Sequence, residues 1–554
     1  MPGACAVPAA APTCLDSVMN LERITGSLHT AVTLTRVGVL RPERPDRLLR
    51  VGATLLRWGP TPASAYAVSA VRTPNRPAIH DDRGTITFAE LEAQTNALAR
   101  GLRGLGVGEG DSIAIFCRDH RGFIEASIAS GKLGATLLLL NTSFAGRQIA
   151  EVCENEQPRV LIYDEEFSEL CAPAAAGRTS VIAWQDSPQL PHPTMDDLIA
   201  ANSTARLAPP RDRGRVVILT SGTTGTPRGA SRHQPRSLDP AARFFSRIPL
   251  RARETTLIAA PLFHSWGYGH FTMGLPLSST LVLQRRFDPE ATLASIATWR
   301  PSALVVVPVM LTRILELGPE VIGRYDHSSL RVIAVSGSAL PGELALHVMD
   351  TFGDVLYNLY GTTEVAWATI ASPKQLRDAP GTAGTPPFGT QVRLFDEHDA
   401  PVTTPGETGR IFARNEMVMD GYTSGDGKAM IGGLIATGDV GYFDTQGRLF
   451  VSGRDDDMIV SGGENVFPRE VEDVLAEHPG VEDVAVIGVP DDHFGQRLRA
   501  FVVPAADAQL SEDDVRDHVR DNLARFKVPR DVVFVDVLPR NATGKVLKRE
   551  LRAR

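Results

Sequence analysis

Ten consecutive residues, Thr220-Ser221-Gly222-Thr223-Thr224-Gly225-Thr226-Pro227-Arg228-Gly229, combine five hydroxyls, three glycines and one fixed cation. They follow Val216-Val217-Ile218-Leu219, an apolar β-branched run that reads as a buried strand. Glycine lets a backbone turn tightly and approach a ligand closely. Successive N–H groups in such a loop form an anion-binding nest, to which Arg228 adds its charge. Holding a polyphosphate is the chemistry that suits this composition. The spacing of a Walker loop is absent, so this is a different phosphate device. A plain surface turn would not need so many donors in so short a stretch.

Elements that could position such a loop surround it. Upstream, Thr85–Phe88, Ser112–Phe116, Ala135–Leu140, Val160–Tyr163 and Val181–Trp184 read as strands. Thr87 and Glu90 have capping-box spacing at the start of a helix whose stripe is Leu91, Leu98, Leu102 and Leu105. Downstream, Thr256–Ala259, Leu281–Leu283, Ala303–Val307, Val332–Val335 and Val355–Asn358 repeat the pattern, with helices between. Alternating strand and helix predict doubly wound α/β layers, in which ligands sit beyond the carboxyl ends of the strands. The turns Ser336–Pro341 and Leu359–Glu364 lie at such ends. From about Gly381 short strands with glycine-rich turns predict a small β-barrel or distorted sheet. After a boundary at Arg454–Asp456, residues to 554 read as a small α+β unit.

Length and composition agree with this plan. At 554 residues the chain needs more than one core. Its 43% apolar and 22% charged content is ordinary for a globular protein, and a net charge of −8 gives no support for a nucleic-acid partner. Cys5, Cys14, Cys117, Cys153 and Cys171 form no C-x-x-C pair, so free thiols in a reducing cytoplasm are expected. Residues 1–19 read as a disordered leader with neither the charged start nor the apolar core of a secretory signal. Residues 20–60 carry seven arginines against three acids, and Leu48, Val51, Leu55 and Trp58 recur at helical spacing. A helix docked on the main domain is the preferred reading. Peripheral contact with an anionic membrane is its alternative.

Seven strings, in this order, now bear on one ligand: TSGTTGTPRG (220–229), PLFHSWG (261–267), NLYGTTE (358–364), GETGRI (406–411), TGD (437–439), GRDDDMIVSGGENVFPREVE (453–472) and PRNATGK (539–545). Over about residues 75–554 the chain resembles the adenylate-forming superfamily, which includes acyl- and aryl-CoA synthetases, luciferase-like enzymes and the adenylation domains of peptide synthetases. The resemblance implies a large N-terminal domain of two doubly wound α/β subdomains plus a small β-barrel (61–455), after a leader and basic segment (1–60). A smaller mobile C-terminal α+β domain (456–554) would follow. It also implies ATP, Mg²⁺ and coenzyme A. A carboxylate attacks the α-phosphate of ATP, pyrophosphate leaves, and a thiol then displaces AMP to give a thioester. Both steps build negative charge, so cations and N–H donors should carry most of the catalysis.

Roles follow from the same resemblance. Thr220, Ser221, Gly222, Thr223, Thr224, Gly225 and Arg228 would clamp the β- and γ-phosphates. Glu364, with Thr224, would hold Mg²⁺, and Thr363 would contact the α-phosphate. Tyr360 would stack on adenine, beside Gly361 and Thr362, with Asn358 on its amino edge. Asp439 would take the ribose hydroxyls, Arg454 would reach ribose and phosphate, and Asp456 would be the hinge of the small domain. Lys545 would bridge carboxylate and α-phosphate during adenylation, and Gly462 and Gly463 would line the pantetheine tunnel. Two departures stand out: Arg228 replaces the usual lysine, and Asp455 adds an acid beside the hinge.

The segment His264–Gly269 offers no acid for a substrate ammonium, which disfavours an amino acid. Gly337, Ser338 and Ala339 leave room for an extended chain, with Trp266 and Tyr268 as walls or core packing. His264 could gate the site, although a lone histidine is more often a satisfied structural group. The expected activity is therefore a medium- or long-chain fatty-acid–CoA ligase. The alternatives are an aryl-acid CoA ligase, a ligase loading a carrier protein, and an inactive ATP- or acyl-binding relative.

Overall fold

The computed structural model describes residues 14–59, 61–188, 192–220, 228–233, 235, 237–425, 427–461, 464–491, 495–506, 508–541 and 544–553. Two large sheets form the frame, and both follow the alternation in the sequence. One runs Thr369–Ala371, Leu356–Tyr360, Val332–Val335, Ala303–Val306, Thr255–Ile258, Thr280–Leu283, Pro77–Asp81 and Gly84–Thr87. Its six inner strands are parallel, and the outer two close it with antiparallel pairs. The other runs Gly421–Tyr422, Arg228–Arg232, Val216–Thr220, Thr136–Leu139, Ser112–Phe116, Val160–Tyr163 and Thr179–Ile182.

The inner strands are buried on both faces, which is why they read as unbroken apolar runs. One apolar interior serves both sheets, from Ile79, Leu91 and Phe123 through Leu257 and Val305 to Val335. Thr87 caps the helix Phe88–Gly104 reciprocally with Glu90, as the spacing predicts. Cys117, Cys153 and Cys171 are buried free thiols.

The third sheet corrects the barrel expectation towards its distorted-sheet form. Pro401–Val402, Gln391–Phe395, Gly409–Arg414, Leu434–Phe443 and Met430–Ile431 pair in that order, with Leu449–Arg454 beside Leu434–Phe443. Among the described residues the pairings do not close. A register break between Val440 and Gly441 lets the long strand Leu434–Phe443 serve different partners at its two ends. After a short turn at 455–457, the C-terminal segment builds its own sheet on Val481–Asp491 and Gly495–Pro504. Its own core includes Val471, Val486 and Val502.

The N-terminal segment departs from expectation in two ways. Residues 1–13 of the leader read as disordered lie outside the described residues, and its remainder belongs to a helix from Cys14 to Arg36, which meets no proline along its length. The helix Pro45–Trp58 is docked, as preferred, but by Val51 and Thr54 rather than by the whole leucine stripe. No helix of the described residues is long and apolar enough to cross a membrane.

Candidate active site

The glycine-rich loop joins two neighbouring strands of one sheet. Val216–Thr220 and Arg228–Arg232 are antiparallel, with Thr220 opposite Arg228. Ser221, Gly222, Thr223, Thr224 and Gly225 lie outside the described residues, as do Gly462 and Gly463. The second strand reaches the centre of the site. Half-buried Arg232, drawn down to about 10 by burial, donates to the Thr363 carbonyl at 2.6 Å. The strand Arg228–Arg232 and the Thr363–Glu364 turn are thus fixed to each other.

Glu364 follows the strand Leu356–Tyr360, at the carboxyl end of its sheet. Its Oε1 accepts from the Tyr422 hydroxyl at 2.6 Å and lies 3.3 Å from Lys428 Nζ. Burial alone would raise this carboxyl; the Lys428 ammonium and the Tyr422 hydroxyl outweigh it and hold the group below its ordinary value. A buried carboxylate kept ionised is a hard oxygen donor of the kind Mg²⁺ takes alongside phosphate oxygens and water. The donor chemistry fits that ion. Gly361 has no room for a side chain, because a Cβ would press into the Ala366 carbonyl and lie 2.7 Å from Trp367 Cα.

Asp439 and Arg454 face each other across neighbouring strands of the third sheet, with Oδ1 3.5 Å from the guanidinium. The Tyr360 hydroxyl donates to Asp439 Oδ2 at 2.7 Å and lies 3.1 Å from Thr437 Oγ1. Burial raises the Asp439 carboxyl, and Arg454 and Tyr360 only partly oppose it. Asn358 is buried, its amide 3.5 Å from the Thr382 carbonyl. Lys545 stands on a tight turn closed by the Arg540–Val546 bridge and by Asn541 Oδ1, which accepts the Lys545 N–H at 2.9 Å. The turn packs on the body at Val309, so close to Gly544 that a Cβ there would collide with it. Lys545 lies near enough to Asp439 to lower that carboxyl. Asp456 falls in the 455–457 turn.

Asn358, Tyr360, Thr363, Glu364, Asp439, Arg454 and Lys545 line one continuous cavity of about 2100 Å³, together with Arg228, His264, Trp266, Tyr268, Gly337, Ser338 and Ala339. His264 heads the helix Ser265–Leu277, tilted against Phe263 at 4.5 Å; burial draws it down to about 4, so it is neutral at physiological pH. Trp266 and Tyr268 are both core and wall: each is buried, and the Trp266 indole donates to the Val306 carbonyl at 2.9 Å.

Sequence reasoning missed several lining residues. His270 packs edge-on against Trp266 at 4.3 Å and Phe244 at 5.4 Å, and Phe244 lies 6.1 Å from Trp367. Four-residue spacing from Trp266 marks His270 as sharing its helix face, so that signal was present. Lys428, Arg232 and Tyr422 carry no motif and reach the site only through sheet topology.

Asp119, also missed, positions the His264 segment. Its buried Oδ1 accepts the Leu262 N–H at 2.8 Å, and burial pushes its carboxyl from an ordinary 3.8 up to about 8. A raised carboxyl favours the fold while protonated, so ionisation costs stability progressively as pH rises from about 4 to about 8. Asp119→Asn keeps an acceptor without that cost. Thermal melts should show no advantage for the variant near pH 4 and an advantage that grows up to pH 8. A difference independent of pH would mean that Asp119 does not titrate there.

Residues 66–423 match the family described as AMP-binding enzyme, and residues 470–545 match the AMP-binding enzyme C-terminal domain. A feruloyl-CoA synthase of Amycolatopsis sp is 34% identical over 494 residues, covering 87% of this chain and 96% of that one. A 2-succinylbenzoate–CoA ligase of Geobacillus kaustophilus (strain HTA426) is 35% identical over 489 residues, with coverage of 87% and 96%. The crystal structure of an anthranilate CoA ligase in complex with anthranoyl-AMP superposes with a TM-score of 0.79 at 25% identity, over 89% of this chain and 96% of that one.

Proposed function

The chain belongs to the AMP-binding enzyme family, and we propose that within it this protein joins an aryl carboxylic acid to coenzyme A through an acyl-adenylate. CoA ligases of this family use ATP, Mg²⁺ and coenzyme A. The observation that carries the aryl reading is the group Trp266, His270, Phe244 and Trp367 lining the cavity. Flat rings stack and meet edge-on with one another, so such a wall suits a planar acyl group. The named relatives act on feruloyl, succinylbenzoate and anthranilate substrates, which supports the aryl alternative over the fatty acid.

In this reading an oxygen of the acid attacks the α-phosphorus and pyrophosphate leaves. The CoA sulfur then attacks the acyl carbon, the thiol proton is lost to solvent, and AMP leaves. Lys545 brings the two anions together, with Thr363 and Arg454 on the α-phosphate. Glu364 holds Mg²⁺, and Arg228 serves the departing pyrophosphate. Tyr360 and Asn358 take the base, and Asp439 takes the ribose. We place the domain division at Arg454–Asp456, with Asp456 as hinge.

Pyrophosphate release across a panel of acids tests the choice. Hydroxy- and methoxycinnamates or benzoates should exceed medium- and long-chain fatty acids by about tenfold or more in kcat/KM, the scale that pocket contacts of one to three kcal/mol allow. Preference for the fatty acids would reverse the reading.

A further inference from the structure

The helix Pro45–Trp58 shows an apolar face that its docking does not cover. Val51 and Thr54 are buried where it packs on the helix Pro62–Arg72. The adjoining leucines stay in solvent: Leu48 is 46% exposed, Leu49 75%, Leu55 42% and Leu56 91%. At 3.6 residues per turn, Leu49 and Leu56 fall on one line and Leu48 and Leu55 on a line beside it. Exposed Arg50 and Arg57 form a third line, on the far side of Leu49 and Leu56. The helix carries one acid, Asp46, and Arg44 lies 3.1 Å from it.

The helix is also held firmly to the body. Glu43, whose side chain is only 4% exposed, lies 3.4 Å from Arg72 and 3.1 Å from Arg253. Arg47 donates to the Arg72 carbonyl at 3.3 Å. Val51 and Leu55 also line the cavity that Trp266 and Met273 line. One helix therefore walls the substrate cavity and presents leucines outward.

We propose that this helix lies on an anionic lipid surface, with Leu48, Leu49 and Leu56 among the acyl chains and Arg50 and Arg57 at the lipid phosphates. An amphipathic helix with leucines on one face and arginines at its border is the form that lies in a bilayer interface. Charge selects the partner. The chain as a whole carries −8, yet residues 20–60 hold seven arginines and three acids. A twofold contact between copies through this face would bring two arginine-bordered helices together, whereas an anionic bilayer neutralises them. This goes beyond the reaction and does not depend on which acid the site takes.

Co-sedimentation of the full-length enzyme with vesicles tests it. Vesicles of phosphatidylcholine alone are compared with equal mixtures of phosphatidylcholine and phosphatidylglycerol. The enzyme should bind the mixed vesicles, stay free of the neutral ones, and be released by high salt. Leu49→Asp/Leu56→Asp and Arg50→Glu/Arg57→Glu should each weaken binding by about tenfold or more, with turnover of a water-soluble acid unchanged. Absence of binding, equal binding to neutral vesicles, or double variants that bind like the wild type would overturn the proposal. So would a dimer seen by light scattering that the leucine variant dissolves while vesicles leave the enzyme free; the face would then belong to a second copy.

Discussion

Lys545→Ala should lose acyl-adenylate formation by about a hundredfold to a thousandfold, the usual effect of removing one preorganised charge from the position where negative charge develops. Carboxylate and α-phosphate are both anions, and their approach in a partly buried cavity needs a cation between them. The surroundings of Lys545 hold it in place for this. The Arg540–Val546 bridge and the Asn541 side chain fix its turn, which seats against Val309 beside Asp439. Thioester formation from supplied acyl-adenylate should remain within about threefold of wild type, because the carboxylate and the α-phosphate that Lys545 brings together approach each other only in the first step. Single-turnover assays of the two half-reactions separate these outcomes. Equal losses in both would remove Lys545 from the role proposed for it.

Glu364→Gln is the second large effect. The wild-type carboxylate is buried and kept ionised by Lys428 and Tyr422. An amide of the same shape can still accept from Tyr422, so the fold should persist, with a melting temperature within a few degrees of wild type. It is a poorer ligand for a hard divalent cation and leaves Lys428 without its carboxylate. Adenylation should fall by about a hundredfold, with partial recovery as Mg²⁺ is raised. Wild-type adenylation at wild-type Mg²⁺ concentration would take Glu364 out of the metal site.

The parts legible in the sequence were those whose cause is local. Val216–Leu219 and Val332–Val335 are apolar because both faces of their sheets are covered, and Thr87 and Glu90 announce their helix by spacing alone. The site motifs were legible as strings, and Tyr360, Glu364, Asp439, Arg454 and Lys545 do meet around one cavity. What could not be read depends on contacts between distant segments. Arg232 supports Thr363 across 131 positions of chain. Lys428 stands in a glycine-rich stretch with nothing to mark it, and reaches Glu364 because Met430–Ile431 turns back onto Leu434–Phe443. The leucine stripe of Pro45–Trp58 was read as one docked face, but only the Val51 side of it found a partner. Small residues at Gly337–Ala339 suggested room for an alkyl chain. The aromatic lining of Trp266, His270, Phe244 and Trp367 comes from three separate segments, and no single stretch of sequence contains it.

In the proposed function this cavity converts an aryl acid to its CoA thioester through an adenylate. Mass spectrometry of a single turnover with ATP, Mg²⁺ and a hydroxycinnamic acid tests it directly. Without CoA, the predicted products are enzyme-bound aryl-acyl-AMP and pyrophosphate; with CoA, they are AMP and the aryl-acyl-CoA. ADP and inorganic phosphate as the nucleotide products, or acyl-AMP formed from palmitate and not from the aryl acid, would contradict it.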